Sequence, residues 1–220
     1  MSSTLITKTV LVFFDDILVY SESWSNHLIH LQLVFDVLSQ HELFVKGSKC
    51  ECGAEQVDYL GHTISRGVVS MDDKKLAYIK EWPLPKSPKE LRGFLGLTGY
   101  YRRFIKGYGF IAKPLTELLK HDGFIWSQAA QKAFQTLKFV MLTVPVLALP
   151  NFSLKFTIEV DASNKGIGTV LSQRGRLMVY FSKGLSSKHQ LLSVYEKEMM
   201  AILVAIKKLS AYVIRRHFKI

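Results

Sequence analysis

Cysteine and acidic side chains are both scarce in this sequence of 220 residues. The two cysteines, Cys50 and Cys52, are separated by one residue, which excludes an ordinary disulfide framework and indicates a reducing compartment. No run of about 18 apolar residues occurs, so a membrane-spanning helix is excluded. The start of the chain also lacks the apolar core of a secretion signal. We therefore expect an intracellular protein with no signal peptide and no membrane partner.

The shortage of acidic residues leaves the chain strongly positive. It has 29 lysines and arginines against 18 aspartates and glutamates, which gives a formal net charge of +11. Such a surplus favours a polyanionic partner such as nucleic acid, because basic side chains neutralise phosphates and release counterions. A basic soluble protein without that partner is the alternative. Hydrophobic residues make up 48% of the chain, which is enough for one or two domains with buried cores.

Two of the few acids stand side by side within the apolar stretch Leu11–Tyr20. Asp15 and Asp16 are flanked on each side by β-favouring residues, which predicts a hairpin with both carboxylates at its tip. Adjacent carboxylates repel each other, and a divalent cation relieves that repulsion. The stretch alone leaves two interpretations open, a metal-binding tip and an ordinary acidic turn.

Two further groups contain potential zinc ligands. His27 and His30 have the spacing that brings two ligands to one helix face, and Cys50 and Cys52 precede His62. Structural zinc usually requires four ligands and a wider cysteine spacing. Neither group meets both conditions, so we do not expect a zinc site.

Helix and strand patterns alternate between the acidic pair and residue 120. Helices are predicted over 26–40 and from Asp72 or Asp73 to residue 82, and another begins at Ser87, followed by Pro88 and Glu90. Strands are predicted over 43–46 and 56–65.

Cationic and aromatic side chains are interleaved directly after the helix that begins at Ser87. The segment contains Tyr101, Arg102, Arg103 and Lys106. Such a mixture can neutralise phosphates and lie against sugars or bases. An amphipathic helix with buried aromatics and solvated cations explains the composition equally well.

A second αβ unit is predicted after a loop at His121-Asp122-Gly123. A helix capped by Ser127 comes first, and three strand patterns over 156–160, 166–171 and 177–181 indicate an antiparallel meander. A helical pattern follows over 187–213.

Glu198 is the informative residue of that last helix. It lies three residues after Tyr195 and four before Ile202, so the spacing predicts a carboxylate on the apolar stripe, whereas Glu196 is expected to be solvated. A buried carboxylate is costly unless it meets a cation or a metal. If the helix crosses the sheet, Glu198 approaches Asp161 at a strand end, and the two supply half of a two-metal phosphodiester-cleaving site. A pair between Glu198 and a lysine or arginine is the alternative.

Several segments in this order resemble the polymerase polyprotein of gypsy-class LTR retrotransposons. FFDDILVYS at 13–21 is similar to that family's aromatic-x-Asp-Asp box, and 43–62 resembles its second palm hairpin. LRGFLGLTGYYRRFI at 91–105 is very similar to its thumb and connection signature. VDAS, GIG, YFSK and YEKE, between residues 160 and 198, resemble its ribonuclease H domain motif by motif.

The resemblance implies an α+β fold with partial reverse-transcriptase palm hairpins and helical thumb/connection, followed by an incomplete ribonuclease H-like αβ domain. The implied ranges are 1–70 for the palm, 71–122 for the thumb and connection helices, and 123–220 for the ribonuclease H-like domain. The implied catalytic and metal-binding residues are Asp15, Asp16, Asp161 and Glu198. The implied contacts to an RNA/DNA primer–template or RNA–DNA hybrid are Tyr101, Arg102, Arg103 and Lys106.

The resemblance further implies that the chain is truncated at both ends relative to the family, so that each carboxylate set is incomplete. Two divalent cations about 3.5–4 Å apart repel strongly and need several bridging carboxylates. We therefore expect Mg²⁺, or Mn²⁺ in its place, to be held weakly, and the polypeptide alone to be poorly active or inactive. The alternatives are a nucleic-acid-binding protein without catalysis and a decayed copy without function.

Overall fold

The computed structural model describes residues 9–120 and 124–220. The chain divides into two compact units, Met1–Arg66 and Gly67–Ile220. Helices and strands are mixed in the chain, and the predicted α+β fold class is confirmed. The loop predicted at His121–Gly123 lies outside the described residues. Among the described helices, none has both the length and the apolar character needed to cross a membrane.

Residues 9–66, the described part of the first unit, form two hairpins and one long helix, with a short 3-10 turn at Gly47–Lys49. Strands β1 (Val10–Phe13) and β2 (Asp16–Val19) pair antiparallel, and helix α1 (Trp24–Gln40) follows. Strands β3 (Gln56–Tyr59) and β4 (His62–Ser65) form the second hairpin. The acidic hairpin and the helix predicted over 26–40 are thus both present.

The predictions between residues 43 and 65 need correction. The strand predicted over 43–46 is wrong, because this segment is a loop in which Phe44 is 97% exposed and packs on no sheet. The strand predicted over 56–65 is a hairpin. Leu60 and Gly61 both adopt positive φ angles, 49° and 71°, which reverse the chain between β3 and β4.

The second unit begins with strand β5 (Val68–Met71), which pairs antiparallel with β6 (Leu147–Ala148). Helices lie between these strands in the sequence. They are α2 (Asp73–Glu81), α3 (Pro88–Tyr100), α4 (Tyr108–Ile111), α5 (Lys113–Leu118) and α6 (Gln128–Leu142), with a short 3-10 turn at Arg102–Phe104.

The predicted helix starts are confirmed by their capping hydrogen bonds. The Asp72 carboxylate accepts from the Lys74 N–H at 2.8 Å, and the hydroxyls of Ser87 and Ser127 each accept from the N–H three residues on. A long-range bond, donated by Trp126 Nε1 to the Pro85 carbonyl at 2.8 Å, fastens the start of α6 to the segment before α3.

The second unit also contains a four-stranded sheet, in the order β10-β7-β8-β9. The predicted meander is confirmed: its strands are β7 (Phe156–Ala162), β8 (Gly166–Gln173) and β9 (Arg176–Gly184), and they pair antiparallel. The short strand β10 (Phe218–Lys219) pairs parallel to β7.

The helical pattern predicted over 187–213 is broken into three helices, α7 (Ser187–Gln190), α8 (Val194–Lys208) and α9 (Ser210–Val213). The first break follows from the extended backbone of Ser193, which caps α8. The hydroxyl of Ser193 accepts from the Glu196 N–H, and the Glu196 carboxylate accepts from the Ser193 N–H, a reciprocal capping box. Glu196 is exposed, as predicted.

Helix α8 packs on the sheet through its small residues. Ala201 and Ala205 are fully buried, and Ile158 and Leu171 of the sheet lie in the same core cluster as Ala205. The opposite side of the helix is open. Three residues spaced by four, each at least 60% exposed, form an apolar ridge there: Tyr195, Met199 and Leu203.

Candidate functional site

The acidic pair lies at the tip of the β1–β2 hairpin. Phe13 is paired with Asp16, so that Phe14 and Asp15 form the two-residue turn, and Phe14 adopts a left-handed φ of 52°. Both carboxylates are exposed. Exposed carboxylate oxygens are the ligands that hard divalent cations prefer, so the chemistry of the tip fits Mg²⁺.

The second hairpin contributes a tyrosine to this region. Burial raises the pKa of Tyr59, and the negative charge of Asp16 raises it further. The carboxylate of Asp16 is therefore close enough to disfavour a tyrosinate at Tyr59. Tyr59 of the second hairpin therefore lies within electrostatic range of Asp16 in the first.

The structure corrects the role predicted for Tyr101. Its side chain is 1% exposed. Burial, with smaller effects of Tyr100 and Asp72, raises the pKa of Tyr101 to about 12. The ring belongs to the core at the end of α3, because Tyr101 continues the apolar spacing of Leu91 and Phe94. The buried ring therefore cannot lie against a nucleic acid.

The cations that follow Tyr101 lie beside the sheet. Arg102 is exposed, and its guanidinium carbon lies 5.8 Å from the ring centre of Phe181 on β9. The Arg103 guanidinium lies 5.2 Å from the ring centre of Phe104, and its Nε is buried with no hydrogen-bond partner among the described residues. Lys106 is exposed. This region therefore presents positive charge next to an edge strand.

Asp161 occupies the end of β7 and is exposed. It alternates with Val160 and Ala162, both of which pack against the cluster that contains Ala201 of α8. Because successive side chains of a strand point to opposite faces, Asp161 lies on the face away from α8. Its carboxylate is open to solvent.

The prediction that Glu198 belongs to the apolar stripe is wrong, because Glu198 is exposed. The core position one residue earlier is taken by Lys197, which is 6% exposed. Lys197, Ala201 and Ala205 are spaced by four, and this row faces the sheet. The apolar spacing in the sequence predicts a different buried face, along Tyr195 and Ile202.

Asp161 and Glu198 lie on two elements that pack together, but Asp161 is on the face of β7 away from α8, and Glu198 is exposed on the helix. Val160 of β7 and Val204 of α8 belong to one apolar cluster, which holds the strand end against the helix. Across residues 9–120 and 124–220, no group of three or more His, Cys, Asp or Glu side chains lies close enough to hold a metal ion. No candidate metal site among the described residues therefore has more than two carboxylates.

Sequence reasoning missed one polar contact beside these acids. The Lys197 Nζ donates a hydrogen bond of 2.7 Å to Asn164 Oδ1, in the turn after β7. The spacing of Lys197 from Ala201 and Ala205 was the available signal, since a lysine in a row with two alanines at intervals of four indicates a partly buried side chain.

Comparison with known proteins agrees with this fold. Residues 1–64 match the family described as reverse transcriptase (RNA-dependent DNA polymerase), and residues 126–220 match the RNase H-like domain found in reverse transcriptase. Solved structures of the foamy viral protease–reverse transcriptase share the fold. One in complex with double-stranded DNA has a TM-score of 0.89 at 21% identity, over 99% of this chain and 40% of that chain. Another, with an RNA/DNA hybrid, has a TM-score of 0.87 at 21% identity, over 98% and 30%.

Relatives by sequence include transposon polyproteins. The retrovirus-related Pol polyprotein from transposon 297 of Drosophila melanogaster is 39% identical over 98% of this chain and 21% of its own length. The corresponding polyprotein from transposon gypsy of the same organism is 34% identical over 94% and 21%. An uncharacterised mitochondrial protein of Arabidopsis thaliana is 49% identical over 61% of this chain and 87% of its own length. The chain spans about a fifth of the length of the transposon polyproteins.

Fold and matches together define a class, a reverse-transcriptase segment followed by an RNase H-like domain. The chain belongs to the retrotransposon polyproteins that carry these two domains.

Proposed function

We propose that this chain is the segment of a gypsy-class LTR retrotransposon polyprotein that serves RNA-directed DNA synthesis and ribonuclease H cleavage. The observation that carries the proposal is the FFDDILVYS hairpin, in which Asp15 and Asp16 are both exposed at the tip. The identity of 34% to the gypsy polyprotein supports the class. We assign 1–70 to the palm, 71–122 to the thumb and connection, and 123–220 to the ribonuclease H-like domain.

Asp15 and Asp16 would hold Mg²⁺, or Mn²⁺, in the polymerase part, and Asp161 and Glu198 would hold it in the ribonuclease H-like part. When bound, such an ion lowers the pKa of an attacking hydroxyl or water and stabilises charge on the phosphate. The chain's own part is to present the ligands: pairing with Phe13 fixes Asp16, and the left-handed turn at Phe14 sets Asp15 beside it.

The nucleic acid would lie against the exposed cations after α3, Arg102 and Lys106, with Arg103 beside them. The net charge of +11 supports a phosphate-rich partner. The foamy viral enzyme has been solved with double-stranded DNA and with an RNA/DNA hybrid, which supports the same substrates for this chain. A primer–template duplex and an RNA–DNA hybrid are therefore the proposed partners.

The 220-residue polypeptide should turn over its nucleic-acid substrates slowly, or not at all, without further carboxylates to hold the metal ions. Two divalent ions need several bridging carboxylates, whereas the described acids do not gather in threes. A second candidate function is binding of nucleic acid without catalysis. The absence of a group of three acids among the described residues favours it, together with the high positive charge.

Binding and turnover should be measured on the full chain with a primed RNA template and an RNA–DNA hybrid. We expect binding that weakens steeply with salt. Arg102→Ala with Arg103→Ala should reduce the slope of log K against log salt by about two. Lys207→Ala with Lys208→Ala, on α8, is the charge-matched control and should change the slope less. Equal effects of the two pairs would refute the proposed contact region.

Turnover separates the two candidate functions. Slow Mg²⁺- or Mn²⁺-dependent synthesis that is lost in Asp15→Asn but kept in Glu22→Gln supports a polymerase role. Slow hybrid cleavage that is lost in Glu198→Gln but kept in Glu159→Gln, an exposed acid on β7, supports a ribonuclease H role. Binding without either activity supports the second candidate, and rapid turnover by the wild-type chain would contradict the proposed weak metal site.

A further inference from the structure

A cleft of about 610 Å³ opens in the second unit between the end of α8, helix α9 and strand β10. Its apolar lining is formed by four side chains, Ile206, Val213, Ile214 and Phe218. Arg215 and Arg216 also line the cleft and are exposed, and no acidic side chain lines it. Clefts of this size that combine apolar walls with a few polar or charged groups are typical ligand sites. The composition of this cleft favours a ligand with an apolar part and a negative charge.

Arg216 is held in place by two neighbours. Its guanidinium carbon lies 4.2 Å from the ring centre of Phe152, and its Nη1 donates a hydrogen bond of 3.2 Å to the Tyr212 carbonyl. The ring and the hydrogen bond orient the guanidinium and leave its other N–H groups for a ligand. Because the fork of a guanidinium matches two oxygens of a phosphate, an exposed arginine held in this way favours a phosphate ligand.

Arg215 has a backbone conformation that glycine adopts more readily. Its φ is 57°, in the left-handed region, at the turn between α9 and β10. A non-glycine residue is uncommon in that region. The Arg215 side chain is exposed and forms no ion pair within the described part of the chain, so neither packing nor a salt bridge explains it. An arginine at a strained position, beside a second arginine and an apolar cleft, points to a use of its charge.

A single strand of nucleic acid combines the two properties that this cleft favours. Its phosphates are negative and its unpaired bases offer apolar faces, whereas a duplex stacks its bases inside the helix. The net charge of +11 attracts such a polyanion over a longer range. The cleft lies beside β10, at one edge of the four-stranded sheet, whereas Arg102 lies beside β9 at the other edge. It is therefore a surface separate from the contact region proposed after α3.

We propose that this cleft binds a single-stranded segment of nucleic acid, with phosphates on Arg215 and Arg216 and one base against Ile214 and Phe218. The inference rests on the nucleic-acid partner proposed above. It depends neither on the contact region after α3 nor on the proposed metal ligands, so each can be tested without the others.

Binding of a fluorescent oligothymidylate of about 12 nucleotides by the full chain tests the cleft. Arg215→Gly with Arg216→Gln should weaken binding about tenfold and reduce the slope of log K against log salt by about 1.4, because two phosphate contacts are lost. Arg174→Gly with Arg176→Gln is the matched control, since Arg174 also has a left-handed φ, of 50°, and neither residue lines the cleft. The control pair should change the slope less. A duplex of the same length should lose less affinity than the single strand when the cleft arginines are replaced.

Thermal denaturation of the same variants separates binding from folding. Glycine relieves the left-handed conformation of Arg215, and glutamine keeps part of the Arg216 stem beside Phe152, so the thermal midpoint of the cleft pair should not fall. Arg215→Asn, which also tolerates a left-handed φ, should weaken binding as Arg215→Gly does. Ile214→Ser should weaken binding about fivefold without changing the salt slope, because it removes an apolar contact and no charge.

Equal effects of the cleft pair and the control pair would show a general attraction by surface charge and would overturn the proposal, as would equal losses for single strand and duplex. If the slope depends on Arg102 and Arg103 alone, the proposed function stands and the cleft fails. If it depends on Arg215 and Arg216 alone, the cleft stands and the contact region after α3 fails. Absence of nucleic-acid binding by the wild-type chain at low salt would refute both.

Discussion

The Gly109 N–H donates a hydrogen bond of 2.8 Å to Ser182 Oγ, and this bond joins helix α4 to the edge strand β9. Ser182 is buried, and the backbone of α4 approaches it closely. A Cβ atom on Gly109 would lie 2.9 Å from the Ser182 carbonyl oxygen, too near for an ordinary contact. The helices after α3 and the RNase H-like sheet are thereby packed together with no room for a side chain between them.

Gly109→Ala should destabilise the protein by about 1–3 kcal/mol, because α4 must move away from β9 to admit the methyl group. Chemical denaturation of the variant and the wild type measures the difference. Gly96→Ala is the matched control: Gly96 lies within α3, and a Cβ there meets nothing within 4 Å. That control should stabilise the protein by up to about 1 kcal/mol. Equal effects at the two positions would contradict the close approach.

Alkaline pH should destabilise the protein through Tyr101. Its pKa is raised to about 12 in the folded state, above the ordinary value of 10.0. The stability gained from the neutral phenol is therefore complete below pH 10 and is lost as the pH rises from 10 towards 12. Tyr101→Phe should lose less stability than the wild type across this interval, as measured by urea midpoints at successive pH values. Tyr195→Phe, at an exposed position, should follow the wild-type curve.

Asp16→Asn should lower the pKa of Tyr59, because the charge of Asp16 disfavours the tyrosinate. The pKa should remain above the ordinary value, since burial is the larger cause. An ultraviolet titration compared with that of a Tyr59→Phe variant isolates this residue. Asp15→Asn is the control and should change the pKa of Tyr59 less. No change in Asp16→Asn would contradict the electrostatic effect of Asp16 on Tyr59.

Ser193→Ala should destabilise α8 by about 0.5–2 kcal/mol through loss of the capping hydroxyl. The variant should also raise the pKa of Glu196, which the hydrogen bonds from Ser193 hold below its usual value. Thermal denaturation and a carboxylate titration by nuclear magnetic resonance check the two effects. Ser210→Ala, at the first residue of α9, should change neither quantity.

Features that depend on neighbouring residues in the sequence were predictable. The caps at Ser87 and Ser127 rest on a hydroxyl and an N–H three residues away, so local spacing suffices to find them. The turn at Arg174 and Gly175 likewise follows from its own two residues, both of which adopt positive φ angles. The strands on either side of the turn, β8 and β9, pair antiparallel.

Features that depend on tertiary contacts were not predictable. The face that α8 presents to the sheet is chosen by the small size of Ala201 and Ala205, which lets the backbones approach, and not by the larger apolar residues of the helix. The spacing of those larger residues predicts a buried Glu198, whereas Glu198 is exposed. The segment 43–46 has strand-like composition, yet composition cannot supply a partner strand.

Because α8 has an exposed apolar ridge, ionic strength should affect both polynucleotide binding and self-association of this protein. At low salt, a net charge of +11 keeps molecules apart and binds phosphates strongly. At higher salt, the screening distance shrinks to about 8 Å at 0.15 M, and the repulsion that keeps the exposed ridges from meeting weakens. Purification in concentrated salt would therefore strip bound polynucleotide and, in the same step, promote precipitation through Tyr195, Met199 and Leu203.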